Sequence, residues 1–195
     1  MKTRTGRNVQ FRRIWPGETA LLTDHLKLLS PADRRFRFAR EVDDAFIENY
    51  CARIDWLTDI VIGAFSGEEL VGSGVFNLIG WTLPLTAGAA VAVDADLQGE
   101  GIGSELLRRL LVVSQNRLVR RLYLLCLNDN VAMRRMAQRF GGRIDTFRDE
   151  TESLFEPSLP TPLSFAVEAM DASEHLAFWA GMPASALIQP RSRAA

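Results

Sequence analysis

The stretch DADLQGEGIGSELLRRLL, residues 94–111, places Gly99, Gly101 and Gly103 at alternate positions just ahead of a leucine-rich run. The segment before it, GAAVAVD (88–94), is apolar and reads as a strand. Leu107, Leu110, Leu111 and Leu118 predict a helix from about Ser104 to Val119, with Glu105 supporting Arg109 one turn on. Glycines between a strand and a helix leave the main chain open to close approach by another group. The first N–H groups of a helix have no internal partners and lie at the positive end of its dipole. Together these features describe a pyrophosphate site made of backbone. It is not a Walker loop, because Gly103 is followed by Ser104 and Glu105 where Lys and Ser/Thr are needed. The Gly99-x-Gly101-x-Gly103 spacing also misses the dinucleotide pattern G-x-G-x-x-G.

Working outward, RLYLLCL (121–127) reads as a buried strand. NVAMRRMAQRFGG (130–142) reads as a helix with Met133, Met136, Ala137 and Phe140 inward and glycine past its end. GRIDTFR and TESLFE form a last strand pair. Upstream, NVQFRRI is a first strand and PGETALLTDHLKLL a helix. SPAD supplies Ser30 as N-cap, Pro31 at the first helical position and Asp33 three residues on, which starts a second helix. DDAFIENYCARI is a third, with Phe46, Ile47, Tyr50 and Ile54 on one face. DIVIGAF, the turn SGEE and LVGSGVFNLI make a hairpin.

Leu70 to Val93 carries no charge and is long enough to span a bilayer. Its glycines, Pro84 and Asn77, and the acidic flanks Glu69 and Asp94, favour a buried β-hairpin over a membrane span. The start, MKTRTGRNVQFRR, has no apolar run of the kind a secretion signal needs. After the Pro-rich link PSLPTP, the segment DASEHLAFWAG predicts a short helix capped by Asp171 and Glu174, and the last residues from Pro183 read as disordered.

The chain has 195 residues, 47% of them apolar, which suits one core. A formal net charge of −1 implies no general field for polyanions. Cys51 and Cys126 stand apart in apolar surroundings and, with His25 and His175, form no metal-ligand cluster, so no metal is expected. Unpaired cysteines fit a reducing cytosol, and a cytoplasmic location is expected. RRFRFAR interleaves arginine with aromatics, but without a positive net charge a helix burying Phe36 and Phe38 is the better reading, and no nucleic-acid or membrane partner is expected. Trp56, Trp81 and Trp179 either pack or line an acceptor pocket.

Gln98-x-x-Gly101-x-Gly103 resembles the Q/R-x-x-G-x-G/A loop of the GNAT-type N-acetyltransferases, which holds the pyrophosphate of acetyl-CoA. Asn130 to Gly141 resembles that family's N-x-x-A/M-x-x-L-A/Y-x-x-x-G segment, one strand further on. The N-terminal part, LSPADRRFRFAREVDDAFIENY, is similar to the acetyltransferase domain of bacterial protein-lysine acetyltransferases. The resemblance covers roughly Val9 to Phe155. It implies an α/β GNAT fold: a mixed, mostly antiparallel central sheet with splayed fourth and fifth strands, flanked by helices. The domain would span 1–156, with 157–195 as a C-terminal extension.

Acetyl-CoA would be the co-substrate, bound by Val91, Ala92, Val93, Gln98, Gly99, Glu100, Gly101, Ile102, Gly103, Ser104, Asn130 and Met133. An N–H near Val91 to Val93 would polarise the thioester carbonyl as an oxyanion hole does. The implied acceptor is an amine, on a small molecule or a protein lysine, that attacks the thioester directly. A homodimer is left open. Asn130 serves equally as a helix N-cap, and Arg134, Arg135 and Arg139 could reach the cofactor's 3′-phosphate or simply face solvent.

Two positions depart from the family pattern. Gly88 stands where many relatives carry a glutamate, and Ala137 where many carry a tyrosine. No catalytic residue is assigned. Proximity and carbonyl polarisation could suffice, a carboxylate such as Asp94, Asp55 or Asp59 could serve, or the domain could bind or sense acyl-CoA without transfer. Cys126 reads as a buried residue and not as an acyl carrier.

Overall fold

The computed structural model describes residues 1–147 and 150–170. Strands β1 (Val9–Ile14), β2 (Ile60–Ser66), β3 (Glu69–Leu78), β4 (Thr86–Val93), β5 (Arg121–Leu127), β6 (Arg143–Phe147) and β7 (Glu150–Phe155) form one sheet in the order β1-β2-β3-β4-β5-β7-β6. Every neighbouring pair is antiparallel except β4–β5. Helices α1 (Thr19–Leu28), α2 (Pro31–Phe38) and α3 (Asp44–Ala52) separate β1 from β2, α4 (Ile102–Asn116) crosses from β4 to β5, and α5 (Val131–Arg139) follows β5. This is the expected α/β architecture.

Two apolar layers sandwich the sheet. Ile62, Phe76, Val91 and Leu124 pack beneath Leu106, Leu107 and Leu110 of α4. Their sequence neighbours Val61, Val75 and Ala92 point the other way, onto Leu22 and Leu26 of α1 and Ile47 of α3. A strand covered on both faces reads as an unbroken apolar run, which is why residues 70–93 lack charge. Among the described residues no helix is long and apolar enough to cross a membrane.

The caps form as their residues dictate. Ser30 Oγ accepts from Asp33 N at 3.1 Å and starts α2. Asp43 Oδ1 accepts from Phe46 N at 2.8 Å and starts α3. Helix α4 begins at Ile102, two residues before the expected start, because Gly101 takes the N-cap position with φ of 90°. It also stops earlier. Leu118, with φ of 56°, ends it in a Schellman arrangement, with Leu118 N bonding Gln115 O and Val119 N bonding Ser114 O. Leu118 is therefore 55% exposed, and the buried stripe is Leu106, Leu107, Leu110 and Val113. Strand β5 is not buried throughout: Leu122, Leu124 and Cys126 face inward while Leu125 is 47% exposed.

The link PSLPTP leads directly into helical residues 162–170, a helix the sequence reading did not place. Thr161 and Ser164 cap it reciprocally, each backbone N–H donating to the other's hydroxyl at 3.0 and 3.1 Å. The segment docks on the end of α4 through Gln115 to Leu159 O (2.7 Å), Asn116 to Ser164 O (3.0 Å) and the Arg117–Glu168 ion pair (2.8 Å). The short helix expected from Asp171, with Glu174 and Trp179, and the tail from Pro183 lie outside the described residues.

Candidate active site

Strands β4 and β5 pair only from Thr86–Ala89 to Arg121–Leu124, yet β4 runs on to Val93 and β5 to Leu127. Beyond Ala89 the two strands part. Thr86 O and Asp94 N both bond to the β3 side. By strand alternation, the main-chain groups of Val91 and Val93 point into the gap between β4 and β5.

A cavity of about 530 Å³ opens beside the free end of β4, among the glycine loop, α2 and the start of α5. Val91, Ala92 and Val93 form one wall, and Gln98, Gly99, Glu100, Gly101, Gly103 and Ser104 close its end. Asn130, Met133, Met136 and Arg139 come from the start and inner face of α5. The side chain of Ile102 is instead buried in the core beneath Gly72, so its contribution here is its N–H in the first turn of α4. The first internal helical bond there is Glu105 N to Gly101 O, which leaves the preceding N–H groups facing the cavity end. Asn130 is the helix N-cap, its Oδ1 accepting from Met133 N at 3.0 Å, and it also borders the cavity.

Several cavity residues were not legible in the sequence. Leu29, Asp33, Phe36 and Arg37 line it from α2 and the residue preceding that helix's cap. Phe36 thus faces the cleft, while Phe38 is the aromatic that packs, edge-on to Phe46 and Tyr50 at 5.4 and 5.3 Å. Helix α2 is pinned to both sides of the gap: Gln98 Nε2 donates to Asp33 Oδ1 at 2.9 Å and to Val93 O at 3.2 Å, and Arg35 pairs with Asp129 at 2.9 Å. Arg4 reaches the same cavity, its backbone N–H donating to the Glu100 carboxylate. Of the three α5 arginines, only Arg139 borders the cavity; Arg134 donates to Asn128 O and Arg135 is exposed.

The two family departures have structural counterparts. Gly88 lies opposite Asn77 of β3. A Cβ on Gly88 would come within 2.7 Å of Asn77 Oδ1, so a carboxamide covers the place a longer side chain would take. Ala137 is fully buried in the core. None of Asp55, Asp59 and Asp94 lines the cavity. Asp94 lies against buried His25, with Oδ1 3.2 Å from Nδ1. Asp59 accepts from Asp55 N, and burial pushes its carboxyl above the usual range. Cys126 is fully buried, and burial raises its thiol too. Trp56 packs against the α1–α3 layer, whereas Trp81 is 76% exposed and does not pack into the core. Among the described residues no cluster of three potential metal ligands exists.

Glu105 in the first turn of α4 holds Arg108 and Arg109, with closest contacts of 2.7 and 2.8 Å. Burial alone would raise its carboxyl; the two guanidiniums outweigh this and hold it below the usual range. Glu105→Gln should cost about 1–2 kcal/mol at neutral pH, because Arg109 is buried and loses its charged partner. A depressed carboxylate contributes stability above its unfolded value that is lost as pH falls through its folded one. The gap between parent and variant in urea melts should therefore shrink on acidification below the ordinary glutamate range.

A parallel strand pair that parts midway, closed by a glycine loop at a helix N-terminus, defines a GNAT-type acyltransferase fold. The sequence pattern of the Acetyltransferase (GNAT) family matches residues 24–142, and the chain belongs to that family. No protein of curated function matches the chain in sequence. Solved structures share the fold. The GNAT domain of S. lividans PAT superposes with a TM-score of 0.68 at 20% identity, over 80% of this chain and 94% of that one. A cAMP-binding acyltransferase from Mycobacterium smegmatis gives 0.57 at 24% identity, over 93% of this chain but 55% of that one. YncA from Salmonella typhimurium, solved with its cofactor acetyl-CoA, gives 0.58 at 19% identity, over 78% and 94% of the two chains.

Proposed function

We propose that the chain binds acetyl-CoA in the gap between β4 and β5 and transfers its acetyl group to an amine by direct attack on the thioester. The single observation that carries this is the break in β4–β5 pairing after Ala89, ending at a backbone anion site. In this reading pantetheine lies along Val91 to Val93, and the pyrophosphate meets the N–H groups from Gly101 to Ser104. The Val91 N–H polarises the carbonyl, the nitrogen of the free amine bonds to the carbonyl carbon and gives up its proton to water, and the C–S bond breaks, the CoA thiolate leaving and taking a proton from solvent. Asn130 and Met133 would flank the cofactor from α5. The acceptor is an amine, on a small molecule or a protein lysine, and the reduced, buried Cys51 and Cys126 support a cytoplasmic setting.

A second reading has its own support. Asn77 covers Gly88 and Ala137 is sealed in the core, so the cleft lacks an acid or base where the family pattern has them. A module that binds acyl-CoA without transfer would have that layout. Acetyl-CoA should stabilise the native state in both cases, by about 2.7 kcal/mol at a hundredfold excess over its dissociation constant. Thermal melts with acetyl-CoA, NAD and ATP check the ligand; a shift with NAD or ATP alone would remove both readings. CoA thiol release over a panel of amines then separates enzyme from module.

A further inference from the structure

We propose that Arg37 receives a carboxylate in the cleft, carried by the acyl group or by the acceptor amine; this rests on the acyl-CoA reading above. Arg37 lines the cavity from α2. Its Nη2 donates to Tyr50 Oη at 2.7 Å, and its guanidinium lies over the rings of Phe38 (4.8 Å) and Tyr50 (5.2 Å). The side chain is therefore held in place. Its Nε is sealed from solvent with no hydrogen-bond partner among the described residues, and Nη2 is taken by Tyr50, so Nη1 is the donor left for a ligand. The other two arginines of α2 each have an acid: Arg34 pairs with Asp44 at 2.6 Å and Arg35 with Asp129 at 2.9 Å. Asp33 lies one turn before Arg37 but bonds Gln98 instead.

A guanidinium keeps its charge, and an Nη1 that is not engaged can donate a charge-assisted hydrogen bond to a carboxylate. Leaving such a group partly desolvated and without an anion is costly, and a ligand that supplies the anion recovers that cost. The cofactor's pyrophosphate is not the natural candidate. Its backbone site lies beside Gln98, and Asp33, about 6 Å back along the helix, stands on that side of Arg37 with its own negative charge. The ligand classes that fit are a dicarboxylic acyl thioester and an amino acid.

Two arms separate these sources. In the first, succinyl-CoA is compared with butyryl-CoA, of equal chain length but uncharged, by calorimetric binding. In the second, CoA thiol release is followed with amino acids and with their decarboxylated amines. One arm should show a preference of about tenfold or more for the carboxylate. Arg37→Gln should bring that ratio to near one, while Arg37→Lys, which keeps the charge, should retain part of it. A ratio near one in both arms for the unaltered protein overturns the proposal. So does a ratio unchanged in Arg37→Gln, even if that variant binds every acyl-CoA more weakly, since a uniform loss assigns Arg37 to the phosphates. Failure of butyryl-CoA and acetyl-CoA alike to bind the unaltered protein is read separately and overturns the acyl-CoA reading and this proposal with it.

Discussion

Gly103→Val is expected to abolish the acetyl-CoA-dependent rise in melting temperature in a protein that still folds. A Cβ at this position would sit 3.6 Å from Val93 Cγ2, 3.7 Å from Met136 Sδ and 3.8 Å from Val91 Cγ1. Those are ordinary contacts, so one carbon fits and Gly103→Ala serves as the folded control. The two further methyls of valine project into the gap between β4 and α5, the place proposed for the cofactor. The expected loss is about a hundredfold or more in affinity, close to 3 kcal/mol. Gly101 works differently. Nothing lies within 4 Å of its notional Cβ, but its φ of 90° is one that side chains resist. Gly101→Val should act through backbone strain of about 1–2 kcal/mol, displacing the N–H groups it presents. Isothermal titration with acetyl-CoA checks both; a Gly103→Val protein that binds as the parent does would place the phosphate site elsewhere.

If turnover is observed, its rate should climb about tenfold per pH unit up to the acceptor amine's own pKa, near 10.4 for an unperturbed lysine-type amine. The free amine is the nucleophile, and a cleft without a base must receive it already deprotonated. Cys126→Ala should retain most of the activity, because a fully buried thiol whose pKa burial raises is not poised to carry an acyl group. Loss of all turnover in that variant, with folding and acetyl-CoA binding intact, would overturn direct attack. A profile that reaches its plateau below neutral pH would point to a hidden carboxylate. Asp33, Glu100 and Asp129, the carboxylates that line the cavity, would be the residues to change, since Asp55, Asp59 and Asp94 do not reach it. A glutamate restored at Gly88 should aid the reaction near neutral pH, and more so with Asn77→Ala, because the Asn77 carboxamide, 2.7 Å from where the new Cβ would be, has to turn aside.

What could be read from residues alone was what short-range chemistry decides. Ser30 caps its helix because its side-chain oxygen reaches an N–H group three residues away. The glycine loop announces a helix start, and apolar runs mark strands covered on both faces. Even the parting of β4 and β5 was legible, although only through a family resemblance and not from any local signal. The misreadings were also local. Leu118 looked periodic but takes a left-handed conformation that ends the helix, and Thr161 and Ser164 form a cap that a Pro-rich stretch disguised. Tertiary structure alone decided who meets whom across the cleft. Asp33 and Gln98 are 65 residues apart, and Arg4 and Glu100 are 96 apart. Asn77 covers Gly88 only because β3 and β4 pair in one register. Arg37 faces the cavity only because α2 is pinned to both strands' ends. Helix caps and periodicity are set within one or two turns of chain, whereas these meetings depend on sheet order and register, which the whole core selects at once.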